Sequence, residues 1–172
     1  GSCMPEENRR RLVRLLNQHD IPLIEDDIYG DLAFGSTRPN AIKSYDRKGT
    51  VMYCSSFSKT LAPGMRVGWA VPGLYRDQVA HRKYVSSMAT ATLPQMVIAE
   101  YLAQGGYERH LRKVRATYAQ QAQRMVEAIA RNFPVGTRVT RPSGGFVLWV
   151  ELPEKIDSLA LHCHALEKGI SI

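Results

Sequence analysis

The sequence predicts an α/β fold, because one helical segment is followed by three short and continuously apolar segments. The helix begins at Pro5-Glu6-Glu7, since proline suits a first helical turn and acidic side chains interact favourably with a helix N-terminus. The apolar segments, each ended by polar or turn-forming residues, are residues 21–24, 51–54 and 67–71. Segments of this kind are typical of strands in a sheet that is covered on both faces.

The second part of the chain changes from helices to a mixed α+β pattern. The spacing of its apolar residues predicts helices over residues 74–88, 94–103, 107–132 and 158–168. Strands are predicted over residues 137–140 and 146–150, and another begins at residues 169–172. Gly105-Gly106 interrupts the helical pattern before the longest helix and indicates a domain boundary. Residues 1–105 are therefore expected to belong to a large domain, and residues 106–172 to the long connecting helix and a smaller domain.

Composition argues against several kinds of protein. No apolar run reaches the ~18 residues of a membrane-spanning helix, and the polar start lacks the apolar segment of a secretory signal. The three cysteines are an odd number without a CxxC pair, which favours reduced thiols in a cytoplasmic protein. His162-Cys163-His164 does not predict a metal site, because adjacent side chains on a helix point about 100° apart.

The net charge of +7 does not by itself indicate binding to nucleic acid. Eight of the 23 Lys and Arg residues lie in two helical clusters, within residues 9–14 and 109–115, for which a solvated helix face is the simpler interpretation. The chain contains no helix-turn-helix pattern, zinc-finger spacing or aromatic RNA-binding motif. Charge alone therefore does not decide the function.

Polar side chains cluster at the ends of the three predicted strands, where open α/β sheets bind their ligands. They are Asp26 and Tyr29 after the first strand, Ser56, Ser58 and Lys59 after the second, and Arg66 before the third. A deprotonated lysine amine forms a Schiff base with an aldehyde, and a carboxylate keeps a pyridine nitrogen protonated. A phenol hydrogen-bonds a phenolate oxygen, and serine hydroxyls with a guanidinium suit a phosphate. Together these groups describe a site for pyridoxal 5'-phosphate (PLP).

Each of these groups has an ordinary alternative role when it is taken alone. Asp26-Asp27 could cap a loop or form half of a metal site, Lys59 could be a surface lysine, and Arg66 could pair with any acid. The combination is more specific than its parts. Asp-x-x-Tyr is followed about thirty residues later by Ser-x-Ser-Lys-Thr and then by Pro-Gly-x-Arg-x-Gly-Trp, and this order favours PLP.

Two segments, residues 25–32 and 56–69, resemble the fold-type-I PLP-dependent aminotransferases. More narrowly, they resemble the aminotransferase-like domain of MocR-type transcriptional regulators in the GntR family, as do residues 107–112 and 143–149. The resemblance covers essentially the whole chain. It implies the C-terminal half of the large domain of an aspartate-aminotransferase-like fold, followed by the beginning of the α+β small domain. We therefore expect the chain to be a fragment of a longer protein.

The resemblance also implies a role for each candidate residue. Lys59 would bind PLP covalently, Asp26 would pair with the pyridine nitrogen, Tyr29 would contact the ring hydroxyl, and Ser56, Ser58 and Arg66 would hold the phosphate. The family's Gly-rich phosphate loop, ring-stacking aromatic residue and substrate-binding arginine are expected outside these 172 residues. The chain alone is therefore expected to bind PLP weakly and to be inactive.

Two functions remain open at this point. The chain could be part of the PLP-binding effector domain of a MocR-type regulator, or part of a stand-alone 2-aminoacid aminotransferase. In both cases the expected partners are PLP, an amino acid and a second copy of the intact protein. DNA would be bound only in the regulator, through a winged-helix domain absent from this chain.

Overall fold

A computed structural model describes residues 2–171 of the chain as a mixed α/β structure. It contains a three-stranded sheet, a separate two-stranded sheet and five α-helices. In chain order the elements are α1 Glu6–Gln18, β1 Leu23–Asp26, β2 Val51–Ser56, β3 Gly68–Val71, α2 Arg76–Ser87, α3 Thr92–Ala103, α4 Gly106–Asn132, β4 Arg138–Val139, β5 Val150–Glu151 and α5 Ser158–Glu167.

The strand order β1-β2-β3 brings the candidate residues to one edge of the sheet. Strand β2 runs parallel to β1, with Asp26 opposite Cys54, and antiparallel to β3, with Ser56 opposite Gly68. The carboxyl ends of β1 and β2 therefore meet the amino end of β3. Strands β1 and β2 lead into this edge and β3 leads away from it, so the polar residues that flank all three strands lie at the same edge, as the sequence predicted.

Strand β1 differs from its predicted bounds of 21–24 and occupies Leu23–Asp26 instead. Pro22 has no backbone N–H, and the first hydrogen bond of this segment to its neighbour is donated by Leu23 N to the Thr50 carbonyl at 3.2 Å. Glu25 is accommodated within the strand because its carboxylate accepts hydrogen bonds from Ile42 N at 2.6 Å and Lys43 N at 2.8 Å. An acidic residue therefore does not end this strand.

The expectation that both faces of the sheet are covered is wrong for the described residues. Ile24 is 69% exposed and Val71 47% exposed, so apolar side chains of the sheet contact solvent. The most buried apolar side chains are those of Leu32, Leu111 and Val51, the first residue of β2, which are all at most 1% exposed. Leu111 lies on α4, the helix that packs against the short 3₁₀ turn containing Leu32.

The charged clusters of α1 and α4 are only partly solvated, which corrects the sequence-based interpretation. Arg9 is 9% exposed, and its guanidinium donates to the Asn40 carbonyl and lies 2.6 Å from the Cys3 sulfur. Arg115 donates from Nε to the Asp31 carbonyl at 2.6 Å. These two side chains stabilise the fold and are not part of a free basic surface.

The C-terminal part forms less strand than the sequence predicts. Strands β4 and β5 have two residues each. Residues 143–149 form a loop, and its first part, residues 143–145, makes backbone hydrogen bonds with residues 32–34. Helix α5 forms as predicted, capped by the Asp157 carboxylate, which accepts from Leu159 N at 2.8 Å. Residues 169–171 do not form the predicted strand, and Ile172 lies outside the described residues.

Candidate functional site

Asp26 and Asp27 follow each other at the end of β1 but lie in different environments. The Asp26 side chain is exposed and has no hydrogen-bond or ion-pair partner among residues 2–171. Asp27 accepts a hydrogen bond from the Tyr53 hydroxyl at 3.0 Å and forms an ion pair with Arg38. Successive side chains of a strand point to opposite faces, which explains the difference. Only Asp26 is free to receive a ligand.

The Asp27 side of the sheet is a connected polar network. Arg38 also binds Asp31, with Nε 2.5 Å from Oδ1. Burial alone would lower the pKa of Arg38, but its hydrogen bonds to Asp31 and Asp27 outweigh this effect and raise it. Burial and the negative charge of Asp27 raise the pKa of Tyr53. The network therefore consists of satisfied groups that hold the loop after β1.

Lys59 lies in a tight turn that follows β2. The backbone amides of Leu61 and Ala62 both donate to the Phe57 carbonyl, at 2.8 and 3.1 Å, and Phe57 N donates to the Val67 carbonyl at 3.0 Å. The Lys59 side chain is exposed, and its amine lies 6.0 Å from the centroid of the Phe146 ring. The turn thus holds an accessible primary amine at the sheet edge.

Ser56, Ser58 and Arg66 are brought together beside this turn. Arg66 donates from Nη1 to Ser58 Oγ at 3.4 Å, and the Ser58 amide donates to Ser56 Oγ at 3.3 Å. The backbone of Arg66 is left-handed, with φ of +53°, a conformation that costs a residue with a side chain about 1 kcal/mol or more. Two hydroxyls and a guanidinium in this arrangement suit a phosphate group.

Tyr29 and Asp26 line a cleft of about 840 Å³, together with Phe146. The Tyr29 and Phe146 rings are in edge-to-face contact, with centroids 5.5 Å apart. Lys59 does not line the cleft, and neither do Ser56, Ser58 or Arg66. The described residues therefore place the six candidates at one sheet edge in two groups, one that lines the cleft and one beside the turn after β2.

Three residues that the sequence reasoning did not assign to the site also contact it. Thr60 follows Lys59 and is only 4% exposed. Its hydroxyl lies 2.9 Å from the Tyr107 hydroxyl, and its carbonyl lies 2.8 Å from Nε2 of His110. Tyr107 and His110 belong to residues 107–112, whose resemblance to a family was noted from the sequence, but sequence spacing gives no sign of a contact with Thr60.

The donors present fit PLP. An exposed primary amine, a carboxylate without a partner in the described range, and a guanidinium beside two hydroxyls correspond to its aldehyde, ring nitrogen and phosphate. A metal site receives no such support, since residues 2–171 contain no group of three His, Cys, Asp or Glu side chains that could hold an ion. Within the same range, no helix is long and apolar enough to span a bilayer.

Comparison with known proteins supports the same fold. The family model "Aminotransferase class I and II" matches residues 1–170. The HTH-type transcriptional regulator YjiR of Escherichia coli is 43% identical over 94% of this chain and 34% of its own length. The regulator YdcR of the same organism is 37% identical over the whole chain and 37% of its own length. The chain thus spans about a third of these curated relatives.

A solved aminotransferase structure also resembles the chain. The α-aminoadipate aminotransferase of Thermus thermophilus, in complex with N-(5'-phosphopyridoxyl)-L-leucine, superimposes with a TM-score of 0.91 at 34% identity. The match covers 99% of this chain and 45% of that one. The family and this complex imply a pyridoxal phosphate cofactor. The match over residues 1–170 and the shared fold establish that the chain belongs to the class I and II aminotransferase family.

Proposed function

We propose that this chain is part of the PLP-binding, aminotransferase-like effector domain of a MocR-type transcriptional regulator of the GntR family. The observation that carries the PLP site is the exposed amine of Lys59 in a turn beside the Ser58–Arg66 hydrogen bond. The regulator assignment is supported by two helix-turn-helix regulators that match 94% and 100% of the chain. DNA binding would belong to a winged-helix domain elsewhere in the longer protein.

Each candidate residue has a role in this proposal. PLP supplies an aldehyde that condenses with a primary amine and a ring that withdraws electrons. Lys59 provides the amine for covalent attachment, while Arg66 and the two serine hydroxyls bind the phosphate and fix its position. Asp26 faces the cleft and holds a proton on the ring nitrogen, since its carboxylate has no partner within residues 2–171. Tyr29 orients the ring through a hydrogen bond to the ring hydroxyl.

A stand-alone 2-aminoacid aminotransferase is the second candidate. The similarity to the Thermus thermophilus α-aminoadipate aminotransferase, at 34% identity, supports it. Both functions use the same cofactor residues, so those residues do not separate them. The part of the gene upstream of this segment separates the two functions. A winged-helix domain followed by a linker, together with specific binding of the purified protein to its own promoter DNA, supports the regulator. Amino-acid turnover without such a domain supports the enzyme.

Three further proposals concern the longer protein. The domain division near Gly105 is supported by its left-handed backbone, with φ of +68°, directly before α4. A cytoplasmic location is supported by the free cysteines Cys3, Cys54 and Cys163. A homodimer is proposed from the resemblance to fold-type-I enzymes, and its test is the mass of the longer protein in solution.

The central experiment traps the cofactor on its lysine. The longer protein is incubated with PLP, reduced with borohydride and digested, and the pyridoxyl group is located by mass spectrometry. We expect it on Lys59. Lys43 serves as an internal control, because its amine is engaged by Asp46 at 3.0 Å and the Val51 carbonyl at 2.7 Å. A pyridoxyl group on Lys43 or Lys83, with none on Lys59, would refute the assignment.

A further inference from the structure

The turn that carries Lys59 is held by the first turns of α4. The Tyr107 ring packs edge-to-face on Phe57, with centroids 5.7 Å apart, and Phe57 accepts the two hydrogen bonds that close the turn. The Tyr107 hydroxyl lies 2.9 Å from Thr60 Oγ1, and His110 Nε2 lies 2.8 Å from the Thr60 carbonyl. Both the side chain and the backbone of the residue after Lys59 are therefore bound to one helix.

The direction of each hydrogen bond follows from its partners. The Tyr107 hydroxyl lies 3.1 Å from Asp31 Oδ2 as well as 2.9 Å from Thr60 Oγ1. A carboxylate only accepts, so the phenol donates to Asp31 and accepts from the Thr60 hydroxyl. A carbonyl also only accepts, so His110 donates to Thr60 and carries a proton on Nε2. Both the hydroxyl and the carbonyl of Thr60 are thereby hydrogen-bonded.

The clamp reaches both halves of the site. Asp31, which accepts from Tyr107, also binds Arg38, and Arg38 binds Asp27 next to Asp26. Lys59 itself makes no hydrogen bond or ion pair with residues 2–171, and its amine lies 6.0 Å from the centroid of the Phe146 ring. The position from which its side chain extends is therefore fixed by the backbone of the turn, which the Thr60 contacts hold.

We propose that Tyr107 and His110 are positioning residues that fix the Lys59 amine for covalent attachment of the cofactor. They act through Thr60 and do not touch the cofactor. This inference rests on the proposed role of Lys59. It assigns a function to residues 107–110, which the site as described from the sequence did not include.

The test compares variants of the longer protein that remove one hydroxyl each. Y107F keeps the ring on Phe57 but loses the phenol oxygen, and T60V keeps the shape of Thr60 but loses its hydroxyl. Y101F is the matched control, because the Tyr101 hydroxyl also binds at the start of α4, to the Gly106 carbonyl at 3.1 Å, without contacting the Lys59 turn. PLP dissociation constants and the circular dichroism of the bound cofactor are measured, with thermal unfolding confirming that each variant is folded.

We expect Y107F and T60V each to raise the PLP dissociation constant by about fivefold, the effect of losing one hydrogen bond. They should also change the cofactor dichroism per bound PLP, which a loss of global stability alone does not do. The Y107F/T60V double variant should be no weaker than Y107F alone, because the contact that T60V removes is already lost in Y107F. T60S keeps the hydroxyl and should retain binding, and Y101F should match the unchanged protein.

Two results would overturn the positioning role. Y107F could match Y101F in both measurements, or the two single effects could multiply to about 25-fold in the double variant, as for independent sites. T60S binding as weakly as T60V would also count against the hydroxyl contact. Failure of the proposed function is separate, because in that case the unchanged protein carries no pyridoxyl group on Lys59 after borohydride reduction.

Discussion

The two ends of β2 differ in how their polar groups are satisfied. At the amino end the Asp46 carboxylate is fully buried and accepts from Val51 N at 2.9 Å, Gly49 N at 3.0 Å and the Lys43 amine at 3.0 Å. At the carboxyl end the Lys59 side chain is exposed, and the Arg66 side chain makes two long hydrogen bonds, of 3.4 and 3.3 Å.

The same contrast separates Asp27 from Asp26 at the end of β1. Asp27 is bound by Arg38 and Tyr53, whereas Asp26 has no partner within residues 2–171. A charge that is paired inside the fold contributes to stability, and a solvated charge without a partner contributes little. The paired carboxylates Asp46 and Asp27 therefore stabilise the fold, whereas Asp26 and Lys59 remain accessible to a ligand.

The strongest test of this contrast replaces each of the two neighbouring aspartates by asparagine in the longer protein. D26N should slow any transamination half-reaction by about a hundredfold or more, because the ring nitrogen loses the charge that keeps it protonated. Its free energy of unfolding should change by less than about 0.5 kcal/mol, as for an exposed side chain without partners. Single-turnover absorbance of the cofactor and urea unfolding measure the two effects.

D27N is the matched variant, with the opposite expected pattern. It weakens the ion pair with Arg38 and should lower the free energy of unfolding by about 1–2 kcal/mol. The half-reaction should slow much less than in D26N. If D26N turned over amino acid as fast as the unchanged protein, Asp26 would have no role at the ring and the contrast would fail.

Asp46 provides the second test, at the amino end of β2. Burial alone would raise the pKa of its carboxyl, but hydrogen bonds from Val51 N, the Lys43 amine and Gly49 N outweigh burial and lower it. A lowered folded pKa gives stability that is present above the unfolded pKa and is lost as the pH falls through the folded pKa. D46N should therefore lower the free energy of unfolding at neutral pH by about 2 kcal/mol.

The pH dependence separates this effect from a general loss of packing. The difference in stability between D46N and the unchanged protein should shrink as the pH falls below 3.8, the usual pKa of an aspartate. Urea unfolding at neutral and acid pH measures it, with D20N as a control, because the Asp20 side chain is 85% exposed. A difference that stays constant with pH would mean that the Asp46 charge is not what stabilises this end.

The sheet edge at which the candidate residues lie could be predicted from the sequence, but contacts between distant segments could not. Parallel pairing of β1 and β2 places Asp26 and Ser56 at one edge once the apolar segments are recognised. The contact between Thr60 and Tyr107 joins residues 47 positions apart, and no periodicity encodes it. The exposure of Ile24 was also missed, because apolar composition indicates that a strand can be buried but not what covers it.

The Tyr107 hydroxyl gives the smallest predicted effect. Burial and the negative charge of Asp31 outweigh the hydrogen bond from Thr60 and raise the pKa of Tyr107 to about 12 from a usual value of 10.0. Between these values the folded protein keeps a proton that the unfolded chain releases, so the free energy of unfolding falls as the pH rises. Y107F removes this dependence. As the pH rises, the free energy of unfolding of Y107F should therefore fall by about 1 kcal/mol less than that of the unchanged protein, after allowance for solvent screening. Urea unfolding at about pH 9 and about pH 11 measures the slopes, with Y101F as the control. Equal slopes for Y107F and Y101F would show that the Tyr107 hydroxyl does not cause this pH dependence.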